Sequence, residues 1–515
     1  MSMTYVIGVD VGTGSARAGL FDHTGVMHGT AQHAIKIAHP QSEWAEQSST
    51  DIWRAVCASV KAVMHETGVE PARVKGISFS ATCSLVLLDN AGAPLCLSNG
   101  EDLWDIIVWM DHRATAEADE VTQSQSSVLN NLGGRMSPEM QIPKLMWLKR
   151  HRPDLWERLG YAGDLADFLT YKCSGSIERS VCTLGCKWTF DPDANAWNTA
   201  FLADMGLEDL LAKGQLPDTA RPVGTPLGAL TDAAAADLGL TTDCEVAVGL
   251  IDAHSGALGT LGLHAEDAPE KRMALIAGTS NCHIALSPAR NEVPGVWGPY
   301  FGAVTPGMWA NEGGQSLTGA LLDHVIGLFS GDPKAPENSH GALAETLLDR
   351  MTSDPDIAGR VHVMPDLLGN RSPFADADMR GAILGLTLEE PRETFLKVYW
   401  AAAASIAYGT KLIIDRMNDH GYAINTLHLS GGHKKSELLV GLYADATGCD
   451  VVISQAEEPV LLGAAIAALA PLNGELGVSG AISKIRVACD VRTPDPVRAA
   501  MHARRYDTFK ALYKA

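Results

Sequence analysis

The stretch VIGVDVGTGSARAGL, residues 6–20, runs apolar into a glycine-rich turn and apolar out again. The same layout returns as LIAGTSNCHIAL, residues 275–286, with Gly278 standing 266 positions after Gly12 (278 − 12) and Leu286 in register with Leu20. Period-2 alternation predicts strands over 6–11 and 16–22 joined by the turn. Gly12 and Gly14 allow close backbone approach, so that successive N–H groups can face one anion beside the Thr13 and Ser15 hydroxyls. A phosphate cradle and a plain hairpin turn both satisfy this pattern. A dinucleotide-binding fingerprint does not, because Arg17 occupies the third glycine position and strand alternation continues. Asp10 stands inside an otherwise apolar strand, where a bare carboxylate would cost several kcal/mol, so it is expected to meet a cation or a hydrogen-bond network. Its counterpart in the second copy is Ile276, so the two hairpins have parted in role.

Working outward, 515 residues suit two domains that each bury a core. A formal net charge of −21 argues against a nucleic-acid or acidic-membrane partner. The ten cysteines include no CxxC pair, which suits a reducing cytoplasm, and CTLGC at Cys182 and Cys186 reads as packing in the absence of a second ligand pair. The opening MSMTYVIGVD has no basic region and its apolar run is interrupted by Asp10, unlike a signal peptide. VLLGAAIAALAPL, from Val460, falls short of the roughly 18 apolar residues a bilayer span needs.

Strands and helices alternate along the chain, which predicts α/β architecture. STDIWRAVCASVKAVMHETG carries Ser/Thr capping residues and helical spacing to Gly68, FLKVYWAAAASIAYGTKLIIDRM reads as a long buried helix, and VKGISFSATCSLVLLDNAGAPL as strand, polar loop and strand. TLHLSGGHKKSELLVGLYADATG runs from a strand through Gly431 and Gly432 into a helix, leaving bare backbone at a strand end where a flat ring could lie; a simple strand-to-helix turn fits as well. No low-complexity linker divides the halves, and the boundary is set near Ala257, giving domains 1–256 and 257–515.

In order, DVGTGSAR, GLIDAHSGALG, AGTSN, LSGGHKKS and EEPVLLGAAIAA resemble the FGGY family of carbohydrate kinases, within the actin, hexokinase and heat-shock ATPase superfamily. The resemblance covers residue 6 to about 468. It implies two ribonuclease-H-like domains with a nucleotide cleft between them, ATP and Mg²⁺ as cofactors, and a small-molecule sugar as partner. An N-terminal domain would bind sugar and phosphate and a C-terminal one the nucleotide, in a cytoplasmic protein for which a homodimer stays open. Asp252, after the apolar run of VGLIDAHSG, could be a helix cap; the resemblance makes it the base that deprotonates the sugar hydroxyl. Nucleotide contacts would come from Gly12, Thr13, Gly14, Ser15, Arg17, Gly278, Thr279, Ser280, Gly431, Gly432 and Lys435, with Asp10 holding Mg²⁺ through water. For Arg17, a cross-strand ion pair explains the residue equally well.

Sugar specificity needs polar groups that converge on hydroxyls. The candidates are Thr82, Cys83 and Ser84 in SATCSLV, Trp109 and Asp111 with Arg113 in IIVWMDHRA, Lys187 in GCKWTF, and Glu312 and Gln315 in NEGGQSLTG, together with Asp252. Trp109 could equally be core, and Asp111 with Arg113 a surface pair. Lys187 and EGGQS are similar to ribulokinase segments and TCSLV resembles the stretch of D-ribulokinases, which points to D-ribulose ahead of L-ribulose, xylulose or a pentitol. A non-catalytic sensor is the distant alternative. Two features depart from the family: His433 and Lys434 are bulkier than the small residues usual after its glycines, and Ala404 stands near a common acid.

Overall fold

In the computed structural model, which describes residues 4–98, 103–264 and 268–514, the opening alternation folds as a hairpin. Strands β1 (Tyr5–Val11) and β2 (Ser15–Asp22) pair antiparallel with Asp10 opposite Arg17. They join β3 (Met27–Ala34), β4 (Val74–Ala81), β5 (Pro226–Ala229), β6 (Glu245–Ala247) and β7 (Leu250–Ile251) in a sheet of order β3-β2-β1-β4-β6-β5, with β7 also on β4. β1, β4 and β7 run parallel, and β1 is buried along its whole length, as its apolar run requires. Helix α1 (Ser49–Thr67) starts where the Ser48 side chain accepts from the Asp51 N–H and stops at Gly68, whose φ of 63° is the left-handed ending glycine favours. Among the further helices of this part, two short ones bear on the site: α2 (Val181–Lys187), capped by Ser180, and α3 (Asp252–Leu258), which follows β7 directly.

The repeat then recurs. β8 (Arg272–Ala277) and β9 (Asn281–Ser287) form the second hairpin, followed by β10 (Trp297–Phe301), β11 (Trp309–Gln315), β12 (Thr426–Ser430), β13 (Asp450–Ser454) and β14 (Cys489–Arg492). Their order is β10-β11-β9-β8-β12-β13-β14, and β8 pairs antiparallel with β9 and parallel with β12, as β1 does with β2 and β4. Helix α4 (Gly319–Phe329) follows β11, α5 (Pro391–Asn418) is the long buried helix expected from its sequence, with Ala404 fully buried, and α6 (Glu437–Thr447) follows the third glycine turn.

Two compact units result: one comprises Met1–Ala265, Pro299–Ala310 and Ala456–Val487, the other Glu266–Gly298, Asn311–Gln455 and Ala488–Ala515. The return into the first unit is made by α7 (Pro459–Leu469). By length and composition the helical run Pro459–Ile482 would pass for a membrane span, unlike the 13-residue stretch weighed from sequence. In the structure α7 is nearly all buried within the first unit, and non-helical Gly474 (φ 57°, ψ −134°) breaks the run. Its small residues are explained by backbone proximity: a Cβ on Gly463 would lie 1.9 Å from the Ser255 carbonyl, and one on Gly259 2.0 Å from the Pro459 carbonyl. The Ser255 hydroxyl donates to the Val460 carbonyl at 2.8 Å, locking α3 against α7. Gly463→Ala is therefore expected to lower stability by about 1–3 kcal/mol through backbone displacement. Urea unfolding measures this, and an unchanged midpoint would refute the close packing.

Candidate active site

The first unit gathers its acids at the carboxyl ends of its parallel strands, the position where open α/β sheets bind ligands. Register aligns Asp10 with Ser80 and Ile251 with Ala81, so Asp10, Thr82 and Asp252 emerge from three neighbouring strand ends. Asp10 is buried, and both its oxygens are engaged: the Arg17 guanidinium donates through Nε (3.1 Å) and Nη2 to Oδ2, and Ser80 Oγ donates to Oδ1 at 2.9 Å. Arg17 Nη1 also donates to Glu458 Oε2 at 2.9 Å. Burial opposes the Arg17 charge, but Asp10, then Glu458 and Asp252, outweigh it and raise its pKa further. The cross-strand ion pair weighed for Arg17 is thus present. Glu458 escaped the sequence reading although it lies within the EEPVLLGAAIAA segment; nothing local to it signals a partner 441 positions away. Asp10, Asp252 and Glu458 form an all-oxygen set around one cation, the donor chemistry Mg²⁺ takes, and a carboxylate's four lone-pair sites leave Asp10 room for a metal-bound water.

The hairpin turn is held from inside. Gly12 N–H donates to Ser15 O (3.0 Å), Ile35 N–H to Gly14 O (3.1 Å) and Gln47 Nε2 to Thr13 O (2.7 Å), while a Cβ on Gly14 would meet nothing within 4 Å. Carbonyls are thereby drawn into the protein and one backbone face stays open, as an anion cradle needs. Trp109 ties this turn to the expected sugar segment: its indole N–H donates to Thr13 Oγ1 at 3.0 Å and its backbone N–H to Ser84 Oγ at 3.2 Å. Thr82 N–H donates to Val11 O at 3.0 Å, and the Thr82 and Ser84 hydroxyls lie 3.1 Å apart.

Asp111 and Arg113 are not a surface pair. Both are buried, with Arg113 donating to both Asp111 oxygens (2.9 and 2.7 Å) and to Glu46 Oε1 (2.9 Å), and its guanidinium 4.2 Å from the Trp44 ring centre. Ala45 N–H adds a bond to Asp111 Oδ2 at 2.7 Å, so both Asp111 oxygens are taken up by Arg113 and the backbone. Burial pushes the Cys83 thiol up to about 12; Lys187 acts against this while Asp164 and Asp252 reinforce it, which places all four groups within electrostatic reach. Lys187 itself is buried at the last turn of α2.

Asp164, at the end of a strand spanning Leu159–Asp164, and Gln141 were not legible as site residues, since neither sits in a recognisable motif. Gln141 Nε2 donates to Cys83 O (3.0 Å) and to Asp164 Oδ2 (3.1 Å). Burial, reinforced by Asp167, lifts the Asp164 carboxyl from 3.8 to about 8. The folded protein thus holds a proton that the unfolded chain releases, so the stabilisation is fully present below about pH 4 and is lost as pH rises to about 8. Asp164→Asn, isosteric and non-titrating, is expected to show a melting-temperature advantage over wild type that opens between pH 4 and 8 by a few degrees. Parallel pH profiles would rule this out; Asp167 and Asp105, also raised to about 6 by burial, are common to both proteins.

In the second unit the Gly278–Thr279–Ser280 turn is pinned by the start of α4: Thr318 Oγ1 and Gly319 N–H both donate to Gly278 O at 2.9 Å, and Thr318 N–H to Thr279 O at 3.0 Å. Gly431 (φ 83°) packs the third turn against this one, for a Cβ there would lie 2.3 Å from the Ala277 carbonyl. His433 does not crowd the open side of the turn. It is buried, 2.9 Å from the Tyr443 hydroxyl through Nδ1, and burial lowers its pKa to about 4, so it is neutral at pH 7. Tyr443 in turn accepts from Asn281 Nδ2 at 2.9 Å, a link between the second and third turns. Gly432 and Lys435 are exposed.

Glu312 and Gln315, expected at the sugar, are both bound within this unit. Arg371 Nη2 donates to Glu312 Oε1 at 3.2 Å, and Gln315 Nε2 donates to Ile406 O at 3.1 Å while its Oε1 accepts from Thr410 Oγ1 at 3.1 Å. The structure gives Gln315 the task of fixing β11 to α5.

Residues 5–259 match the FGGY family of carbohydrate kinases, N-terminal domain, and residues 273–471 its C-terminal domain. The chain is 41% identical to an FGGY carbohydrate kinase domain-containing protein of Danio rerio, over all of this chain and 98% of that protein. It is 37% identical to a D-ribulokinase of Saccharomyces cerevisiae, over 90% of this chain and 71% of that one. Among solved structures it resembles a xylulose kinase from Rhodospirillum rubrum (TM-score 0.82, 24% identity, 99% of this chain and 98% of that one) and a gluconate kinase from Lactobacillus acidophilus (TM-score 0.84, 19% identity, 100% and 98%), which shows the shared two-domain α/β fold.

Proposed function

The chain belongs to the FGGY family of carbohydrate kinases, and from that premise we propose that it transfers the γ-phosphoryl group of ATP to the 5-hydroxyl of D-ribulose, giving D-ribulose 5-phosphate. The observation that carries this reading is that Asp252, Cys83 and the Thr13–Trp109–Ser84 link lie at or beside neighbouring strand ends, with Lys187, at the last turn of α2, within electrostatic reach of Cys83. Asp252 takes the proton of the 5-hydroxyl as that oxygen bonds to the γ-phosphorus; the bond to the β-phosphate oxygen breaks and ADP leaves. The backbone amides of Thr13 and Gly14 at the turn and the Arg17 charge stabilise the transferring group. Asp10 would hold Mg²⁺ through water, and the ion would supply neutralisation of phosphate charge. In this reading the first unit serves sugar and phosphate, and the second the nucleotide, through Gly278–Ser280, Gly431, Gly432 and Lys435.

The choice of D-ribulose is supported by the TCSLV segment and by the 37% identity to a D-ribulokinase. A misplaced hydroxyl leaves one buried polar partner unpaired, at about 1–3 kcal/mol, or about five- to 150-fold. In an ADP-release assay with Mg²⁺, the expected order of kcat/KM puts D-ribulose above D-xylulose, L-ribulose, ribitol and glycerol. A rival pentulose matching it would overturn the specificity and leave the kinase reading intact; no ADP release with any acceptor would overturn both. A cytoplasmic location accords with the scattered cysteines, and the charge of −21 with neither nucleic acid nor membrane as partner.

A further inference from the structure

The sequence motif CTLGC lacked a second ligand pair, but the fold brings a third ligand to it. Cys182 and Cys186, four apart on α2, share one helix face, and His254 on α3 meets them there. The three donor atoms lie within 4.8 Å of one another, and all three side chains are fully buried. We propose that Cys182, Cys186 and His254 form a binding site for one thiophilic metal ion, with Zn²⁺ as its divalent occupant. The site would join the helix that ends in Lys187 to the helix that begins at Asp252.

Geometry supports the assignment. Zn–S and Zn–N bonds of about 2.3 and 2.05 Å at a tetrahedral angle set sulfur and nitrogen about 3.6 Å apart. Cys186 Sγ and His254 Nε2 are 3.6 Å apart. The backbone N–H of Ile251 donates to Cys182 Sγ at 3.4 Å, the kind of outer contact that orients a thiolate ligand. Charge balance agrees. On binding, each thiol releases its proton to solvent, and two thiolates, one neutral imidazole and Zn²⁺ sum to zero, the net charge a dry interior tolerates best. Three protein ligands leave a fourth position for water. Sulfur and imidazole donors select Zn²⁺ over Mg²⁺, so the site is chemically distinct from the all-oxygen set around Arg17.

The test uses the purified full chain, stripped with dipicolinate and then given Zn²⁺ or Co²⁺ alone. One metal ion per chain should survive desalting in millimolar Mg²⁺, with two protons released per ion. The Co²⁺ form should show thiolate-to-metal charge-transfer bands, and X-ray absorption on the Zn²⁺ form should show two sulfur neighbours and one imidazole. Cys186→Ser and His254→Gln should weaken binding by more than about 100-fold, whereas Cys489→Ser, at an exposed thiol elsewhere, should leave it unchanged. Well under one equivalent of metal, or a sulfur-free shell, overturns the site and leaves the three residues as a packed hydrogen-bonded cluster. Because stoichiometry and absorption are read on the wild type, a variant that fails to fold does not blunt the test.

Discussion

Asp252→Asn is expected to lower kcat with D-ribulose by about 10²–10⁴, the range a positioned general base supplies, while ATP binding stays within a few-fold. The substitution isolates the proton-accepting role. Asp252 is the first residue of α3, with Ile251 at the cap, and its Oδ1 accepts from the Ala253 N–H at 2.7 Å. An asparagine keeps the volume and that acceptor but cannot take a proton from a hydroxyl. Rapid-quench turnover, calorimetric titration of ATP and a thermal melt separate chemistry, binding and folding. Turnover within threefold of wild type in a folded variant would remove Asp252 from the chemical step. The same position also explains why a capping role was an open alternative: an acid in the first turn of a helix favours the helix whether or not it reacts.

The hairpins were legible because their signal is local. Alternation with period 2, a glycine turn and a 266-residue offset place β1, β2, β8 and β9 within a residue or so of where they fold. Asp10 was legible as an anomaly, since an acid in a buried strand demands a partner. Its partner Arg17 was in view because the hairpin register is set by the turn. What stayed hidden depends on residues far apart in sequence. No spacing announces that His254 meets Cys182 and Cys186, that Glu458 reaches Arg17, or that the indole of Trp109 reaches Thr13. Nor does it announce that 299–310 and 456–487 rejoin the first unit. Asp111 and Arg113 looked like a solvated pair because charge two residues apart usually is one; only burial with Glu46, Trp44 and Trp147 reverses that.

Asp10→Asn is expected to cut kcat/KM for MgATP by about 10²–10³, the loss typical of one preorganised electrostatic group. The amide preserves shape: its oxygen can still accept from Arg17 and its nitrogen can face Ser80 Oγ. What disappears is the negative charge opposite Arg17, leaving Glu458 to balance the guanidinium. Ser80→Ala, which removes only the hydroxyl on Oδ1, should cost no more than about tenfold. Two accounts of Asp10 then divide. If it serves only to position Arg17, the double variant Asp10→Asn/Arg17→Gln should turn over no more slowly than Arg17→Gln alone. If it also holds the metal, the losses should multiply, and the Mg²⁺ concentration for half-maximal rate should rise in both proteins carrying Asp10→Asn. The all-oxygen surroundings favour the second outcome. Stability should behave oppositely, because removing both charges together leaves neither unpaired; the double variant should melt above the less stable single one. Multiplied kinetic losses with compensating melts would assign Asp10 to the reaction as well as to the fold, and compensation in both would confine it to the ion pair.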